Sequence, residues 1–401
     1  MLLVTILATL LVLSEQCQEI RMIAEDGNVI VSRSMEFAQI DAYVVAEPRD
    51  LEHTMPELPN CEEPFRFRNR YKSVKLRWNY GNSWSNADSD GMNSAGVSAS
   101  TLYFPNFSHF PDMDSLTEEH CDNSIPHLRV GKYVLAMFGS VQEIRDAINN
   151  GTFPEVYAEE EEGMVHPLHY QFADKTGDAV ILEYTKQRGR QVYNNTVGVL
   201  TNSPNYDWHM ENLRNYPQLR PENWGEVHGM KSNGGSGTTG MPGDYSSPSR
   251  FIKAATLLKH VNKPQTKNEA LMQSFHLMNA ADIPQGIVMF GSHSEDEEEE
   301  QSKESNKKDK KNKKNKKDKK AKSRSTRNAH EDVDYDQTSW IAVKSLTEGC
   351  LYYRGYSDIS IRRVCLDSTS EDRTMVLPVD GKWKNSYKDV TNDMEEWEGQ
   401  Y

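Results

Sequence analysis

The chain lacks any long hydrophobic run. Its one continuous near-apolar stretch, Leu2 to Leu13, is shorter than the roughly 20 residues a membrane-spanning helix needs, which excludes a polytopic membrane protein. Apolar residues are sparse, at 36% of 401, and the mean hydropathy is −0.76. Even so, 7 Trp, 18 Tyr and 12 Phe supply a core and exclude wholesale disorder. The length suits one large or two ordinary domains. No internal repeat is evident. The Gly-rich run Asn233–Gly240 has no Gly-Lys-Ser/Thr, which argues against a phosphate-cradling loop; it fits a mobile loop near a pocket. His166 and His169 stand three apart, but Pro167 lies between them and no second ligand cluster follows, so no metal is expected. No cysteine sits in a papain-like signature, and Glu159–Glu162 reads as a solvated acidic run.

Charge is unevenly spread. The formal net charge is −14, yet Ser294 to His330 carries 14 Lys/Arg against 9 Asp/Glu, which leaves 32 against 51 elsewhere. An acidic body argues against nucleic acid as a partner. The segment Ser294–Arg327 has no aromatic or large apolar residue and cannot bury enough surface to offset its chain entropy. It is expected to be a disordered insertion at about 294–330. It reads as a tolerated surface loop, with a basic arm for an anionic surface as the functional alternative.

Leu2–Leu13 followed by Ser14-Glu15-Gln16 has the length of a signal-peptide core, although no Lys or Arg precedes it. The expected division is a signal peptide over 1–16 and one domain over 17–401, in a secreted protein. Asn106, Asn150 and Asn194 begin glycosylation acceptor triplets. Cys61, Cys121, Cys350 and Cys365 suffice for two disulfides in an oxidising compartment, with all three pairings open. Cys17 is the odd thiol.

Two β-branched runs around Asp26-Gly27 predict a hairpin that Cys17 opens. Further strands are expected at Tyr133–Met137, Ala179–Tyr184, Val197–Leu200, Trp340–Val343, Leu351–Tyr353 and Ile359–Val364. Capping boxes at Ser140…Glu143 and Thr266…Glu269 predict helices, and a third helix follows Ser249. Strands in runs with helices between them favour an α+β fold.

Cleavage after Gln16 would make Cys17 the first residue, with a thiol and an α-amine on one atom frame. An α-amine titrates near ~8, so it can act as a base at neutral pH, and the thiolate is the reactive form of the sulfur. One residue then supplies both attacker and base. The segment CQEIRMIAEDGNVIVSRSMEF from Cys17 resembles the opening of the choloylglycine hydrolase family, which includes bile salt hydrolases and penicillin V acylases. VGVLTNSPNYDWHMENLRNY from Val197 resembles it again, closer to the penicillin V acylases. MPGDYSSPSRFIKAA from Met241 and DYDQTSWIAVKSL from Asp334 follow in family order.

The resemblance implies a four-layer αββα sandwich of the N-terminal nucleophile hydrolase type. It implies hydrolysis of a linear, non-peptide carboxamide with an apolar acyl group, without metal or organic cofactor, and often a homotetramer. It implies Cys17 as nucleophile, Arg33 as the cation beside it, and Glu36 as the acid that binds the α-amine, where many relatives have Asp. Asn202 and Asn93 (in DGMNSAG) would supply oxyanion donors, and Arg250 the second active-site arginine. Two alternatives stay open: a lipid amidase of the N-acylethanolamine or ceramide type, and a non-catalytic binding protein on the same scaffold.

Overall fold

The computed structural model describes residues 16–37, 41–59, 61–80, 83–161, 163–289 and 335–380. The expected signal peptide, apart from Gln16, and the charged insertion lie outside the described residues.

Gln16–Ile23 (β1) and Val29–Phe37 (β2) form the predicted hairpin. Gly27 takes φ 81° at its turn, a left-handed conformation that glycine adopts without strain. The hairpin lies within a first sheet. Its spatial order is Val199–Leu200, β1, β2, Tyr335–Ser345, Cys350–Gly355 and Arg362–Cys365, with Val288–Met289 paired to the start of Tyr335–Ser345. A second sheet runs Gly189–Asn194, Ala179–Thr185, Leu168–Asp174, Val97–Tyr103, Ser83–Asn93, Ser73–Tyr80, Asp41–Glu47 and Met375–Pro378. Neighbouring strands in both are antiparallel.

The sheets face each other, and polar side chains cross between them. Arg33 donates to the Ser89 carbonyl, Gln171 to Glu19, and Lys344 to Asp90 and the Ser100 hydroxyl. Helices cover the outer faces. Val130–Met137 (α1) and Val141–Asn149 (α2) pack on the second sheet. Tyr206–Leu213 (α3) packs on Ser247–His260 (α4); α4 lies on β1, and Lys267–Asn279 (α5) on β2 and Tyr335–Ser345. The result is the four-layer αββα sandwich that the resemblance implies.

Both capping boxes start helices: Ser140 Oγ accepts from Glu143 N at 3.1 Å and Thr266 Oγ1 from Glu269 N at 3.3 Å. The third helix begins earlier than expected, at Ser247, because Pro248 already has the φ of a first turn. Arg250 therefore sits inside α4. Tyr133–Met137, expected as a strand, is the end of α1. A short apolar run reads alike as a buried strand or a buried helix turn. The strand expected at Ile359–Val364 is confined to Arg362–Cys365. The cysteines pair as Cys61–Cys121 and Cys350–Cys365, and Cys17 is free.

Candidate active site

Cys17 is the second residue of β1, opposite Met35 of β2, and is fully buried in the uncut chain. Side chains alternate between the faces of a strand. On β2, Arg33 and Met35 thus share the face toward the second sheet, and Glu36 takes the face toward the helices. Arg33 Nη2 lies 3.3 Å from Cys17 Sγ and 3.4 Å from Met35 Sδ. Its Nη1 donates to the Ser89 carbonyl, and Trp340 offers its ring 5.2 Å from the guanidinium carbon. The cation is thus pinned from three sides against the sulfur, where it favours the thiolate over the thiol.

The other half of the site follows from register. Leu200 pairs with Glu19, so two residues further on Asn202 comes level with Cys17. Asn202 Oδ1 accepts from the Cys17 backbone N at 2.7 Å and from Arg250 Nη2 at 2.7 Å. Arg250 Nη1 donates to the Cys17 carbonyl, and its Nε to the Tyr245 carbonyl at 2.9 Å. One N–H of Asn202 donates to the Tyr103 carbonyl at 2.8 Å. Asn202 and Arg250 together hold the backbone nitrogen and carbonyl of Cys17.

Glu36 is fully buried. Its Oε1 accepts from Thr338 Oγ1 at 3.3 Å, and Oε2 has no hydrogen-bond partner among the described residues. Burial pushes its carboxyl up to about 7, against the pull of Arg250, Ser34 and Arg33. In the register of the hairpin it stands opposite Gln16, the last residue of the expected leader.

Asn93 does not join this cluster. Its two N–H groups donate to the carbonyls of Leu135 (2.9 Å) and Phe138 (2.8 Å), and its Oδ1 accepts from Ala95 and Val97 N. Two of these bonds tie Asn93 to the end of α1, and two close the turn after Ser83–Asn93. The structure does not bring the side chain to Cys17, where the oxyanion role expected for it would need it. His166 and His169 likewise do not converge: His166 bonds Tyr103, and His169 Nδ1 faces Glu183 at 3.4 Å. Among the described residues no group of three or more His, Cys, Asp or Glu side chains could hold a metal ion.

Sequence reasoning missed Met35, Tyr103 and Trp340. Met35 and Trp340 are legible as neighbours of Cys17 and Arg33 only once register is known, since Trp340 pairs with Met35. Tyr103 ends VSASTLY, whose small and polar residues hide a strand that is buried throughout. A cavity of about 640 Å³ lies elsewhere, beside α3, α4 and the far end of β1; none of Cys17, Arg33, Glu36, Asn202 and Arg250 lines it.

Known proteins bear on this geometry. The model of the family described as linear amide C–N hydrolases, choloylglycine hydrolase family, matches residues 17–302. The bile salt hydrolase/transferase of Clostridium perfringens is 33% identical over 204 residues, 49% of this chain and 60% of that protein. The match thus spans under two thirds of that relative. Among solved structures, a variant of the conjugated bile acid hydrolase from Clostridium perfringens superposes with a TM-score of 0.71 at 22% identity, over 94% of this chain and all (100%) of that one. The penicillin V acylase of Agrobacterium tumefaciens gives a TM-score of 0.65 at 18% identity, over 92% and 94% of the two chains. These likenesses show a shared fold. With the family match beginning at Cys17 itself, the chain belongs to the choloylglycine hydrolase family of linear amide C–N hydrolases.

Proposed function

We propose that the protein hydrolyses a linear carboxamide with Cys17 as an N-terminal nucleophile, after residues 1–16 are removed. The observation that carries this reading is the convergence on one residue: Arg33 lies against its sulfur, and Asn202 and Arg250 hold its nitrogen and carbonyl. In the uncut chain that nitrogen is an amide and cannot take a proton. Cutting the Gln16–Cys17 bond turns it into an amine, already within hydrogen-bond reach of Asn202. Glu36, with a spare oxygen and opposite Gln16 in the hairpin register, is the counter-charge for the new ammonium.

The step balances as follows. The sulfur attacks the carbonyl carbon and the S–C bond forms. The α-amine carries the thiol proton to the leaving nitrogen as the C–N bond breaks. The second N–H of Asn202 is a donor for the tetrahedral oxyanion; such donors typically contribute about 3 kcal/mol. Water then cleaves the thioester, and the amine takes its proton.

The acyl group is apolar, either phenoxyacetyl-like as in penicillin V acylases or steroidal as in bile salt hydrolases. The protein is read as secreted. The leader, the two disulfides and three exposed acceptor asparagines, Asn106, Asn150 and Asn194, support this. Competition between a phenoxyacetyl amide, a bile conjugate and a fatty amide against the processed protein tests the reading. One of the first two should be turned over and Cys17→Ala should abolish it. Preference for the fatty amide would move the protein to a lipid amidase, and hydrolysis of none would leave a binding protein.

A further inference from the structure

Tyr103 links the nucleophile to a segment that the mechanism above does not use. Its carbonyl takes one N–H of Asn202, and this contact decides which way the Asn202 amide faces. With nitrogen toward Tyr103, Oδ1 is left for the Cys17 nitrogen and Arg250. The Tyr103 ring is buried, 6.2 Å from Phe37 and edge-on to His166 at 5.8 Å. A buried phenol needs a hydrogen-bond partner. Here the partner is His166 Nδ1.

His166 is itself buried, and its Nε2 faces Glu161 Oε2 at 3.7 Å. A carboxylate on that side favours the tautomer with the proton on Nε2, which leaves Nδ1 to accept from the phenol. The backbone of this segment is fixed too. His127 Nε2 donates to the His166 carbonyl at 3.0 Å, and Phe104 N to the Pro167 carbonyl at 2.7 Å. Burial holds His127 down to about 3, so it stays neutral; its Nδ1 accepts from Glu159 N at 3.1 Å. Glu159, Glu161 and the HPLH sequence therefore form a built structure whose end is Tyr103.

We propose that Glu161 and His166 are positioning residues for the reaction. Glu161 sets the His166 tautomer, His166 locks the Tyr103 phenol, and the Tyr103 carbonyl fixes the Asn202 amide against Cys17. The proposal rests on Cys17 being the nucleophile.

The test uses the processed protein and an amide that the wild type turns over. His166→Phe should lower kcat about 10- to 100-fold, the scale of a small misplacement at a reacting centre, with KM within about twofold. Tyr103→Phe, which removes only a hydroxyl, should show the same loss, and the double variant should lose no more than either. His166→Asn, whose Oδ1 can take the phenol proton, should recover most of kcat. Glu161→Gln should fall between. Unchanged kcat in Tyr103→Phe, losses that multiply, or failure of His166→Asn to recover would each overturn the proposal. Alkylation of Cys17 by iodoacetamide separates the two levels. A wild type that neither hydrolyses amide nor is alkylated at Cys17 fails the functional reading itself. A wild type that does both, matched by Tyr103→Phe, fails only this proposal.

Discussion

Glu36 shows how burial and charge compete at a single residue. Complete burial pushes its carboxyl up to about 7 from 4.5, against the downward pull of two guanidiniums and Ser34. The uncut folded chain then binds a proton more tightly than the unfolded chain between these values, so its stability falls as pH rises through that window. The loss is about 3 kcal/mol, from ~1.4 kcal/mol for each unit. In a chain that retains Gln16, Glu36→Gln is expected to be more stable than its parent at pH 8 and no more stable at pH 4, by denaturant titration. In a chain that begins at Cys17, the proposed ammonium would supply that missing partner, and the same substitution should destabilise at pH 8. The two asparagines separate in the same way. Asn93→Ala should cost about 1–3 kcal/mol of stability by leaving buried carbonyls unmatched, with kcat of the folded protein near the parent's. Asn202→Ala should act on kcat instead, by about 100- to 1,000-fold if it supplies an oxyanion donor. Equal effects of the two on kcat would contradict this assignment.

At the scale of elements, the first sheet and the second differ in how far the sequence discloses them. β1, β2 and Tyr335–Ser345 carry β-branched runs, and the Asp26-Gly27 turn and the capping boxes of α2 and α5 are local signals. Cys17, Arg33 and Glu36 lie on that legible hairpin, so their proximity follows from its register. The second sheet is largely hidden. Ser83–Asn93 and Val97–Tyr103 are built from Ser, Ala, Asn, Asp and Thr, which read as loop until burial by neighbouring layers is known. The place of Asn93 is illegible for that reason: its side chain caps a turn between two strands that carry no signal. Gly91 has a similar origin. A Cβ there would meet the Val74 carbonyl at 2.8 Å and Leu135 Cδ1 of α1 at 2.9 Å. It lets α1 press on the strand whose Ser89 carbonyl holds Arg33. Gly91→Ala should therefore lower stability by about 1–3 kcal/mol, the usual cost of overpacking, read as a lower melting temperature. An unchanged melting temperature would mean that α1 shifts freely.

The whole molecule is organised around one bond that is intact in the full chain. With Gln16 attached, Cys17 has a cation at its sulfur and two partners on its backbone, but no base. Its nitrogen has one N–H, already given to Asn202, and Glu36 is left with an oxygen that no described residue satisfies. The two sheets, the helices outside them and the disulfides are all formed with that bond intact. The account thus predicts a folded but inactive precursor. The most direct measurement is the rate of amide hydrolysis by two preparations, one beginning at Cys17 and one beginning at Gln16, each verified by intact mass. The chain that begins at Cys17 should turn over substrate, and the chain that retains Gln16 should show no activity above background. Equal rates from the two would contradict the N-terminal nucleophile and leave Cys17 without its base.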